Sequence, residues 1–474
     1  MPKYVDLMDE SRKPLATIWF LAWPIMLEQV LIMLVHYVDT AMVGGMGPQA
    51  TAAVALTSPA NMLLNGIFAG VSIGFSVPVG RYIGSRDIDM ARRVIRQAVL
   101  SIGICGAAMT AVMLLLSPYI PIWMGGEPDI CADATSFISI LSFSYIFSMS
   151  VQICGSILRC TGDTRTPLVF NVSTNVINMI LNFLLIYPTR TLEILGTPVT
   201  VWGANLGVKG SALASVIAFS FSGFMLLRAL FTERAVCRIN IKDSFRFDKA
   251  IWKDMFKLGT PVAFERVILS AGQVAMTAIA TALGTFSLAA HSLAITAESI
   301  TFMPAYGFAA AATTLVAQSI GARKAELARR FALYCTVGCV IFMSSMGFLL
   351  YFGGSMLISL FTPSAMVVAI GAAALRVEAL AQPMYAVSQV AAGILRGARQ
   401  TKLPFIVSAI GMWVVRIPLA FTLTRVFPEL GLTGAWIGMA SDLTIRGIIC
   451  LFLLRGGKWA KVDAPPPPQI QEEQ

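Results

Sequence analysis

The sequence contains only two histidines, and no glycine-rich phosphate-binding loop with its lysine occurs in it. A histidine-based catalytic centre and ATP hydrolysis are therefore not expected, because each depends on one of these features. The eight cysteines are scattered through apolar segments without the spacing of zinc ligands, which predicts free thiols and no structural metal. These absences argue against an enzyme, and the sequence implies no cofactor.

Charged residues are also scarce. They make up 13% of the chain, whereas hydrophobic residues make up 57%. A water-soluble domain cannot bury so much apolar surface, so an all-α protein inside a lipid bilayer is expected. Apolar runs of about 20 or more residues match the thickness of the hydrocarbon core. We predict twelve membrane-spanning helices, called spans 1 to 12, at about 14–40, 50–79, 92–118, 132–158, 166–188, 207–231, 254–282, 286–317, 328–353, 366–395, 403–424 and 431–454.

The formal net charge is +10, and the position of the basic residues explains it. Most of the lysines and arginines fall in the N-terminal segment, the C-terminal tail and the connections that follow even-numbered spans. This asymmetry follows the positive-inside rule and predicts that both termini are cytoplasmic. The sequence therefore predicts a multi-pass protein of the plasma or bacterial inner membrane, with the lipid bilayer and not nucleic acid as its surroundings.

An internal repeat relates the two halves of the chain. Residues 24–100 recur as 261–337 at a constant offset of 237, so that Pro24 and Glu28 correspond to Pro261 and Glu265. The register continues to the Ile-Leu-Arg segments at 157–159 and 394–396, and the first half then carries additional residues near 188–206. Since each half has six spans, both enter the membrane in the same direction. A pseudo-two-fold axis along the membrane normal should relate them.

The repeat divides the chain into an N-lobe at 1–231, a cytoplasmic connection at 232–253, a C-lobe at 254–455 and a disordered tail at 456–474. The charged connection is expected to lie on the membrane surface. Pro24 and Pro261 occupy equivalent positions inside spans and are predicted hinges, because proline removes a helix hydrogen bond. A substrate site is expected between the lobes or inside one of them, and the protein is expected to be a monomer.

Span 1 carries two acidic residues. A carboxylate inside a bilayer costs at least about 2.5 kcal/mol, so Asp39 is expected to bind an ion or a proton, although an Asp near a helix end could also reach the headgroups. Glu28 lies 11 residues earlier, about 20° away on the same face of a straight helix. His36 is near enough on that face to share a proton with Asp39, or it packs by hydrogen bonding.

A stripe of amides follows span 5, where Asn171, Asn175, Asn178 and Asn182 recur at three- and four-residue spacing. Such amides serve as interhelical hydrogen bonds, or they form a wall of carbonyl oxygens facing Asp39. We predict a polar lining of the substrate site in the first half, formed by Asn175, Asn178, Asn182, His36, Tyr37 and Ser215. The corresponding positions of the second half lack the stripe and hold Ser408, Met412, Val415 and Leu419.

In the second half, Glu265 occupies the position of Glu28. It is a candidate for ion coupling or for a structural ion pair, and its neighbour Arg266 points about 100° away. Asp442 and Arg446 are one turn apart in span 12 and are predicted to pair. Other charged residues of the second-half spans have no predicted role, namely Glu298, Arg376, Glu378 and Arg416.

These residues resemble the multidrug and toxic compound extrusion transporters over essentially all of 14–455. The resemblance rests on several short segments: Val38-Asp39-Thr40 before a glycine turn, Ala52-Ala53-Val54, Leu283-Gly284-Thr285, Leu288-Ala289-Ala290-His291, the paired Ile-Leu-Arg segments, and Asn178-x3-Asn182-x4-Tyr187. It implies twelve helices around a V-shaped cleft, and efflux of drugs or organic cations in exchange for H⁺ or Na⁺. In that picture Asp39 carries the ion, Pro24 bends span 1, and Asn178 and Asn182 line the cavity.

Two departures from the family pattern bear on the coupling ion. Some members have an Asp where this chain has Asn182, and others have an Asp in span 10 where it has Tyr385. Na⁺ binding by Asp39, Asn178 and Asn182 remains an alternative, but the departures favour H⁺. We therefore predict an H⁺-coupled exporter of amphiphilic organic compounds. The other hypotheses are a flippase for a lipid-linked precursor, which needs an arginine-rich cleft, and a membrane scaffold or receptor.

Overall fold

The computed structural model describes residues 7–8, 13–194, 197–232, 236–240 and 242–460. Eleven helices among these residues are long and apolar enough to cross a membrane, and one bent helix pair completes a set of twelve. The predicted all-α architecture with twelve spans is confirmed. In the first half the helices are α1 Pro14–Gly44, α2 Pro48–Ala55, α3 Ser58–Gly84, α4 Ile88–Leu116, α5 Ile120–Trp123, α6 Pro128–Ser142, α7 Tyr145–Cys160, α8 Arg165–Leu185 and α9 Gly207–Phe231.

The second half repeats this order with longer, less interrupted helices. They are α10 Lys249–Ala282, α11 Thr285–Gly321, α12 Ala325–Ser359, α13 Ala365–Gly397, α14 Lys402–Ile410, α15 Ile417–Val426 and α16 Gly431–Arg455. A π-helical segment, Gly411–Arg416, joins α14 to α15 within span 11. It ends two residues before Pro418, whose nitrogen has no hydrogen to donate to the preceding turn.

Two features of the first half differ from a simple helix repeat. Span 4, predicted as one helix, is divided into α6 and α7, which meet at an angle of 48°. The additional residues near 188–206 form an antiparallel hairpin of β1 Pro188–Ile194 and β2 Thr197–Ala204. The backbone N–H and C=O groups of the two strands hydrogen-bond to each other, so this insertion satisfies its own polar groups. The second half has no counterpart of it.

The repeated turns show why their residues recur. Gly47 and Gly284 have φ angles of 111° and 99°, a conformation that a side chain strongly disfavours. Arg86 and Arg323 end α3 and α11 in the left-handed region at 62° and 59°. In each case the backbone N–H of the arginine closes the last turn of the helix. The halves therefore share turn geometry as well as helix order.

Two helices pack across the boundary between the halves. Ile18 and Leu21 of α1 lie in the apolar core formed by α11, α12 and α13. Trp252 and Met255 of α10 lie in the equivalent core formed by α3, α4 and α7. The beginnings of α1 and α10 are thus exchanged between the lobes, so each lobe packs around a helix from the other half of the sequence.

Glycines bring the lobes together at the end of the bundle where α1 begins and α16 ends, called the basic end here. A Cβ on Gly84 would lie 2.0 Å from the carbonyl oxygen of Gln318, and one on Gly321 would lie 2.0 Å from that of Arg81. Residues 81 and 84 correspond to 318 and 321 in the repeat. Because the contact is reciprocal between equivalent positions, the pseudo-two-fold axis passes through it.

The same pattern recurs deeper in the bundle. Gly70 of α3 lies against the backbone of Gly259 in α10, and Gly307 of α11 lies against Ala22 and Met26 of α1. These contacts occupy equivalent positions in the two halves. Toward the opposite end, apolar side chains of α3 and α10 are exposed, including Met62, Leu63 and Val274. The lobes are therefore in close contact at the basic end.

The connection between the halves docks on α4. The Gln97 side chain donates to the Arg246 carbonyl at 2.7 Å and accepts from the backbone N–H of Asp248 at 3.1 Å, and Arg93 pairs with Asp248 at 2.8 Å. The first residues of the segment predicted as a disordered tail, 456–474, are ordered. Trp459 lies in a 3₁₀ turn at Lys458–Ala460, is buried and donates a hydrogen bond to the Leu454 carbonyl. The rest of that segment, 461–474, lies outside the described residues.

Candidate functional site

The Asp39 site forms where α1, α8 and α9 meet. Asp39 lies in the last two turns of α1, and its Oδ1 accepts a hydrogen bond of 2.7 Å from the Asn182 amide. Asn182 is 1% exposed. The structure therefore places a partly buried carboxylate directly against a fully buried amide.

Asn178 extends this network. In one orientation of its amide, the oxygen accepts from Asn182 at 3.1 Å and the nitrogen donates to Ser215 Oγ at 3.2 Å. In the reverse orientation, the nitrogen lies 2.9 Å and 3.0 Å from the two Asp39 oxygens, and the amide oxygen accepts from Ser215. The reverse orientation gives Asp39 a second amide donor. Four of the predicted residues thus form one connected polar group.

The remaining predicted lining residues are placed differently. Asn175 is half-buried, one turn before Asn178 and two turns before Asn182, and its amide nitrogen has no partner among the described residues. Tyr37 points to the other lobe, where its hydroxyl lies 3.5 Å from Ser299 Oγ and from the Thr296 carbonyl. The His36 side chain lies outside the described residues, so its role stays a prediction.

Local packing holds the end of α1 in this position. The Tyr187 hydroxyl at the end of span 5 donates to the Met42 carbonyl at 2.8 Å. The Arg190 guanidinium lies 4.1 Å from the Tyr187 ring centroid, close enough for a cation–π contact. This anchor connects α1 to the same segment that supplies Asn178 and Asn182. It thereby fixes Asp39 relative to the amides.

Glu28 does not join Asp39. It is 3% exposed, and both of its oxygens lie 3.2 Å from Nη1 of Arg159 at the end of α7. Asn171 at the start of α8 donates a third contact to Glu28 at 2.5 Å. Glu28 and Asp39, which were predicted to lie on the same face of a straight helix, therefore have separate partners, and Glu28 is neutralised inside a buried ion pair.

Glu265 makes the equivalent pair in the second half. Its Oε2 accepts from Arg396 at 2.8 Å and its Oε1 accepts from Ser408 at 3.3 Å. The residues 28, 159 and 171 correspond to 265, 396 and 408 at the offset of 237. Ion coupling by Glu28 and Glu265 stays a prediction, but their geometry favours structural ion pairs. The conspicuous Ile-Leu-Arg repeat supplies the arginine in both.

A second polar group is buried in the C-lobe. Asp442 and Arg446 pair as predicted, at 2.6 Å, and the previously unassigned Arg416 also donates to Asp442 at 2.8 Å. Of the other charged residues of the second-half spans without a predicted role, Glu298 and Glu378 are buried near Arg416, whereas Arg376 is exposed. The proximity of Glu298 and Glu378 was not predicted from the sequence, because the two residues lie on different helices.

The predicted hinge residues lie within continuous helices. Pro24 is inside α1 and Pro261 is inside α10. Each is followed, four residues later, by the glutamate of its lobe's ion pair. Both prolines therefore occupy the part of the helix between the exchanged segment that packs on the other lobe and the ion pair that holds the helix to its own lobe.

The Asp39 site could hold a small cation through oxygen atoms. Asn182 Oδ1 is buried and accepts no hydrogen bond from the described residues. Together with the Asp39 carboxylate it offers ligands that suit a proton, a hydronium ion or Na⁺. No group of three or more His, Cys, Asp or Glu side chains suited to a metal ion occurs among the described residues.

Comparison with known proteins agrees with this architecture. A sequence model of the MatE family matches residues 24–184 and 261–422, one segment in each half of the repeat. The chain belongs to the MatE family. Its members are transporters, and the chain is accordingly a membrane transporter and not an enzyme.

Curated relatives span the whole chain. A probable multidrug resistance protein NorM of Thermotoga maritima is 29% identical over 469 residues, which cover 97% of this chain and 95% of the relative. The uncharacterized transporter YisQ of Bacillus subtilis is 24% identical over 449 residues and covers 94% of each protein. The similarity is therefore not confined to one lobe.

Solved structures show the same fold. An outward-facing multidrug resistance MATE family transporter of the MOP superfamily superposes with a TM-score of 0.85 at 23% identity, over 94% of this chain and 96% of that one. A MOP superfamily transporter from Pyrococcus furiosus gives a TM-score of 0.84 at 22% identity, with the same coverage. This MatE chain therefore has the two-lobe arrangement of those transporters.

Proposed function

We propose that this transporter exports amphiphilic organic cations in exchange for protons, and that Asp39 carries the coupling proton. The multidrug resistance assigned by name to the Thermotoga maritima relative supports the substrate class. The observation that carries the proton role is the contact of the Asp39 carboxylate with the buried amide of Asn182. The same network supplies polar groups for a bound drug at Asn178 and Ser215, and Asn175 lies one turn before Asn178.

The energies at Asp39 suit a reversible proton site. An unpaired carboxylate inside a bilayer costs about 2.5–3.5 kcal/mol, whereas each hydrogen bond to a charged group contributes about 1.5–3 kcal/mol. Two amide donors together contribute about 3–6 kcal/mol, so they offset the cost of burying the ionised carboxylate. A proton that crosses 100 mV supplies about 2.3 kcal/mol, which can drive transport.

The packing of α1 connects this proton to alternating access. Its beginning packs in the other lobe, its middle is held to its own lobe through Glu28, and its end is held through Asp39 and Asn182. Neutralising Asp39 weakens only the last of these attachments. We expect the end of α1 to move then, with Pro24 as the flexible position, and to change the cavity that binds the drug.

The proposed orientation in the membrane follows from the charge distribution. The basic end faces the cytoplasm by the positive-inside rule, which places both termini there. Since the Gly84 and Gly321 contact holds the lobes together at this end, the conformation is closed toward the cytoplasm. We propose the plasma or bacterial inner membrane as the location and the monomer as the working unit, because one chain supplies both lobes.

A proton is the preferred coupling ion because the Asp39 site has only one carboxylate among its described residues. Asn182 stands where a second acid would attract Na⁺ more strongly, and Glu28 is already neutralised by Arg159. The flippase alternative is less favoured, because Arg416 and Arg446 are buried and engaged with Asp442. They are thus not available as a basic lining for a pyrophosphate.

The experiment uses the full chain in proteoliposomes that contain a pH-sensitive dye, with ethidium as the organic cation. Ethidium addition should move protons in the wild type, and Asp39→Asn should abolish this movement. The matched control is Asp133→Asn, which removes an exposed acid from α6. If Asp39→Asn exchanges ethidium for protons at the wild-type rate, Asp39 has no place in the mechanism.

A further inference from the structure

One arginine in a second-half span has no acidic partner among the described residues. Arg266 lies near the centre of α10, and the ion pairs found in the described part of the chain do not include it. The acid beside it, Glu265, is already paired with Arg396. In the first half, the repeat places the uncharged Gln29 at this position. The second half therefore has an additional positive charge here.

Arg266 lies where the two lobes begin to separate. A Cβ on Gly66 of α3 would lie 3.1 Å from the Arg266 Cβ, and Gly70, one turn nearer the basic end, packs against the α10 backbone. In the other direction along the same face of α3, Met62 and Leu63 are 58% and 48% exposed. The close packing of α3 on α10 therefore ends at Arg266, which lies at the floor of the cleft between the lobes.

The surroundings of the guanidinium are aromatic. Its central carbon lies 6.0 Å from the Tyr306 ring centroid, and the ionisable groups that act on it include Tyr306, Glu265 and Tyr385. Phe302, one turn before Tyr306 on α11, stacks on Tyr385 with the ring centroids 4.1 Å apart. The Arg266 side chain is nevertheless exposed. Because its neighbours lie on α3, α11 and α13, this exposed surface faces the cleft and not the lipid.

The chemistry of an arginine at this depth points to an anionic ligand. A charged side chain within a membrane span is costly, and it is found paired or facing a water-filled cavity. The guanidinium presents its N–H groups in a planar fork that fits the two oxygens of a carboxylate. One arginine balances one negative charge, so a monocarboxylate suits Arg266 better than a pyrophosphate, which carries more charge.

The cleft walls next to Arg266 suit an aromatic molecule. Ser270 and Gln273 follow at four and seven residues on the same face of α10, and they offer polar groups toward the open side of the cleft. Tyr306 and the exposed Met62 offer aromatic and apolar surface. Aromatic rings pack favourably on both types of side chain. A bound compound can therefore place a carboxylate on Arg266 and its ring system against these residues.

The Arg266 position is distinct from the Asp39 site. Gln29, which the repeat places at the depth of Arg266, precedes Asp39 by ten residues on α1, a rise of about 15 Å along the helix. The two charged side chains thus lie at different depths and in different halves of the repeat. A substrate carboxylate bound by Arg266 therefore leaves Asp39 for the coupling proton.

We propose that Arg266 forms a carboxylate-binding subsite at the floor of the cleft, and that it selects aromatic compounds that carry a carboxylate in addition to a cationic amine. The carboxylate oxygens accept hydrogen bonds from the guanidinium, and the ring system packs on Tyr306 and Met62. An organic cation without a carboxylate is held less tightly, because Arg266 repels its charge. The subsite deepens the proposed export of organic cations, and its role in transport rests on that proposal.

The test compares rhodamine B, whose carboxylate is free, with rhodamine B ethyl ester, which has the same cationic ring system and no carboxylate. Binding of each dye to the full chain in nanodiscs is followed by fluorescence anisotropy, with the signal of empty nanodiscs subtracted. The wild type should bind the acid about tenfold more tightly than the ester, because a hydrogen bond to a charged group contributes about that factor.

Three variants accompany the wild type. Arg266→Gln, which introduces the first-half residue, should remove the preference by weakening acid binding and strengthening ester binding. Arg266→Lys keeps the charge without the planar fork and should retain part of the preference. The control is Arg329→Gln, at an exposed position of α12, which should retain all of it.

Three results would overturn the proposal. They are a wild type that binds the ester as tightly as the acid, an acid preference that persists in Arg266→Gln, or equal losses of affinity for both dyes in that variant, which would indicate a structural role. The comparison of the two dyes on the wild type needs no variant to fold. Equilibrium binding also does not depend on the coupling ion, so ethidium exchange by Asp39→Asn at the wild-type rate would contradict the proposed function alone.

Discussion

Removing Arg159 while keeping Glu28 should destabilise the protein strongly. Arg159→Met leaves a carboxylate that is 4% exposed without its cation, and breaking one partner of a buried pair costs about 3–5 kcal/mol. Arg396→Met should cost a similar amount, because the second pair has nearly the same burial, with Glu265 6% exposed. Two widely separated substitutions should therefore have matched effects.

The two ion pairs differ in the third residue that contacts each glutamate. Asn171 donates to Glu28 at 2.5 Å, whereas Ser408 donates to Glu265 at 3.3 Å. A good hydrogen bond to a charged group contributes about 1.5–3 kcal/mol, and a long one contributes less. Asn171→Ala should therefore lower the free energy of unfolding by more than Ser408→Ala does.

The assay is reversible unfolding of the purified protein in mixed detergent micelles, followed by circular dichroism as the denaturing detergent fraction rises. The double substitution of Glu28→Gln with Arg159→Met should recover much of the loss, since it removes the uncompensated charge. Arg92→Met is the control, because it breaks the much more exposed ion pair of Arg92 with Asp89 in α4. If Arg159→Met changes the free energy of unfolding by less than about 1 kcal/mol, the buried pair does not have the structural role assigned to it.

Two further predictions concern the lobe contact and the coupling ion. Gly84→Val forces a side chain against the Gln318 carbonyl. It should destabilise the closed basic end by about 1–3 kcal/mol and slow ethidium export by about 5- to 150-fold. Gly103→Val, at a glycine with no atom near its Cβ position, should export normally, and equal rates in the two variants would contradict the closure. Asn182→Asp replaces an amide 2.7 Å from Asp39 with a second carboxylate, which should make transport respond to Na⁺; an absent response would count against an oxygen-based cation site.

The sequence predicted the fold through its repeat and its apolar runs, since both are local or nearly local signals. Twelve spans and equivalent turns at Gly47 and Gly284 follow from them. The exchange of α1 and α10 between lobes was not predicted, because hydropathy does not say which neighbouring helix an apolar face contacts. The break in span 4 was also missed, since its two pieces are equally apolar.

The site was predicted in part, because its polar residues also form a local pattern in the sequence. The amide stripe of span 5 and the acid of span 1 pointed to Asp39, Asn178 and Asn182, and the structure brings them together. The partners of Glu28 and Glu265 were not predicted, because they come from other spans. The internal repeat did contain information about these partners. A glutamate and an arginine that both recur at the same offset are candidates for an ion pair with each other in each half.

The central claim, proton coupling through Asp39, is tested most directly by comparing two gradients in the same proteoliposomes. Ethidium transport is measured with a pH gradient and no Na⁺ gradient, and then with a Na⁺ gradient at equal pH on both sides. The account predicts transport in the first condition and its loss in Asp39→Asn, with background rates in the second. Transport driven by the Na⁺ gradient alone would contradict it.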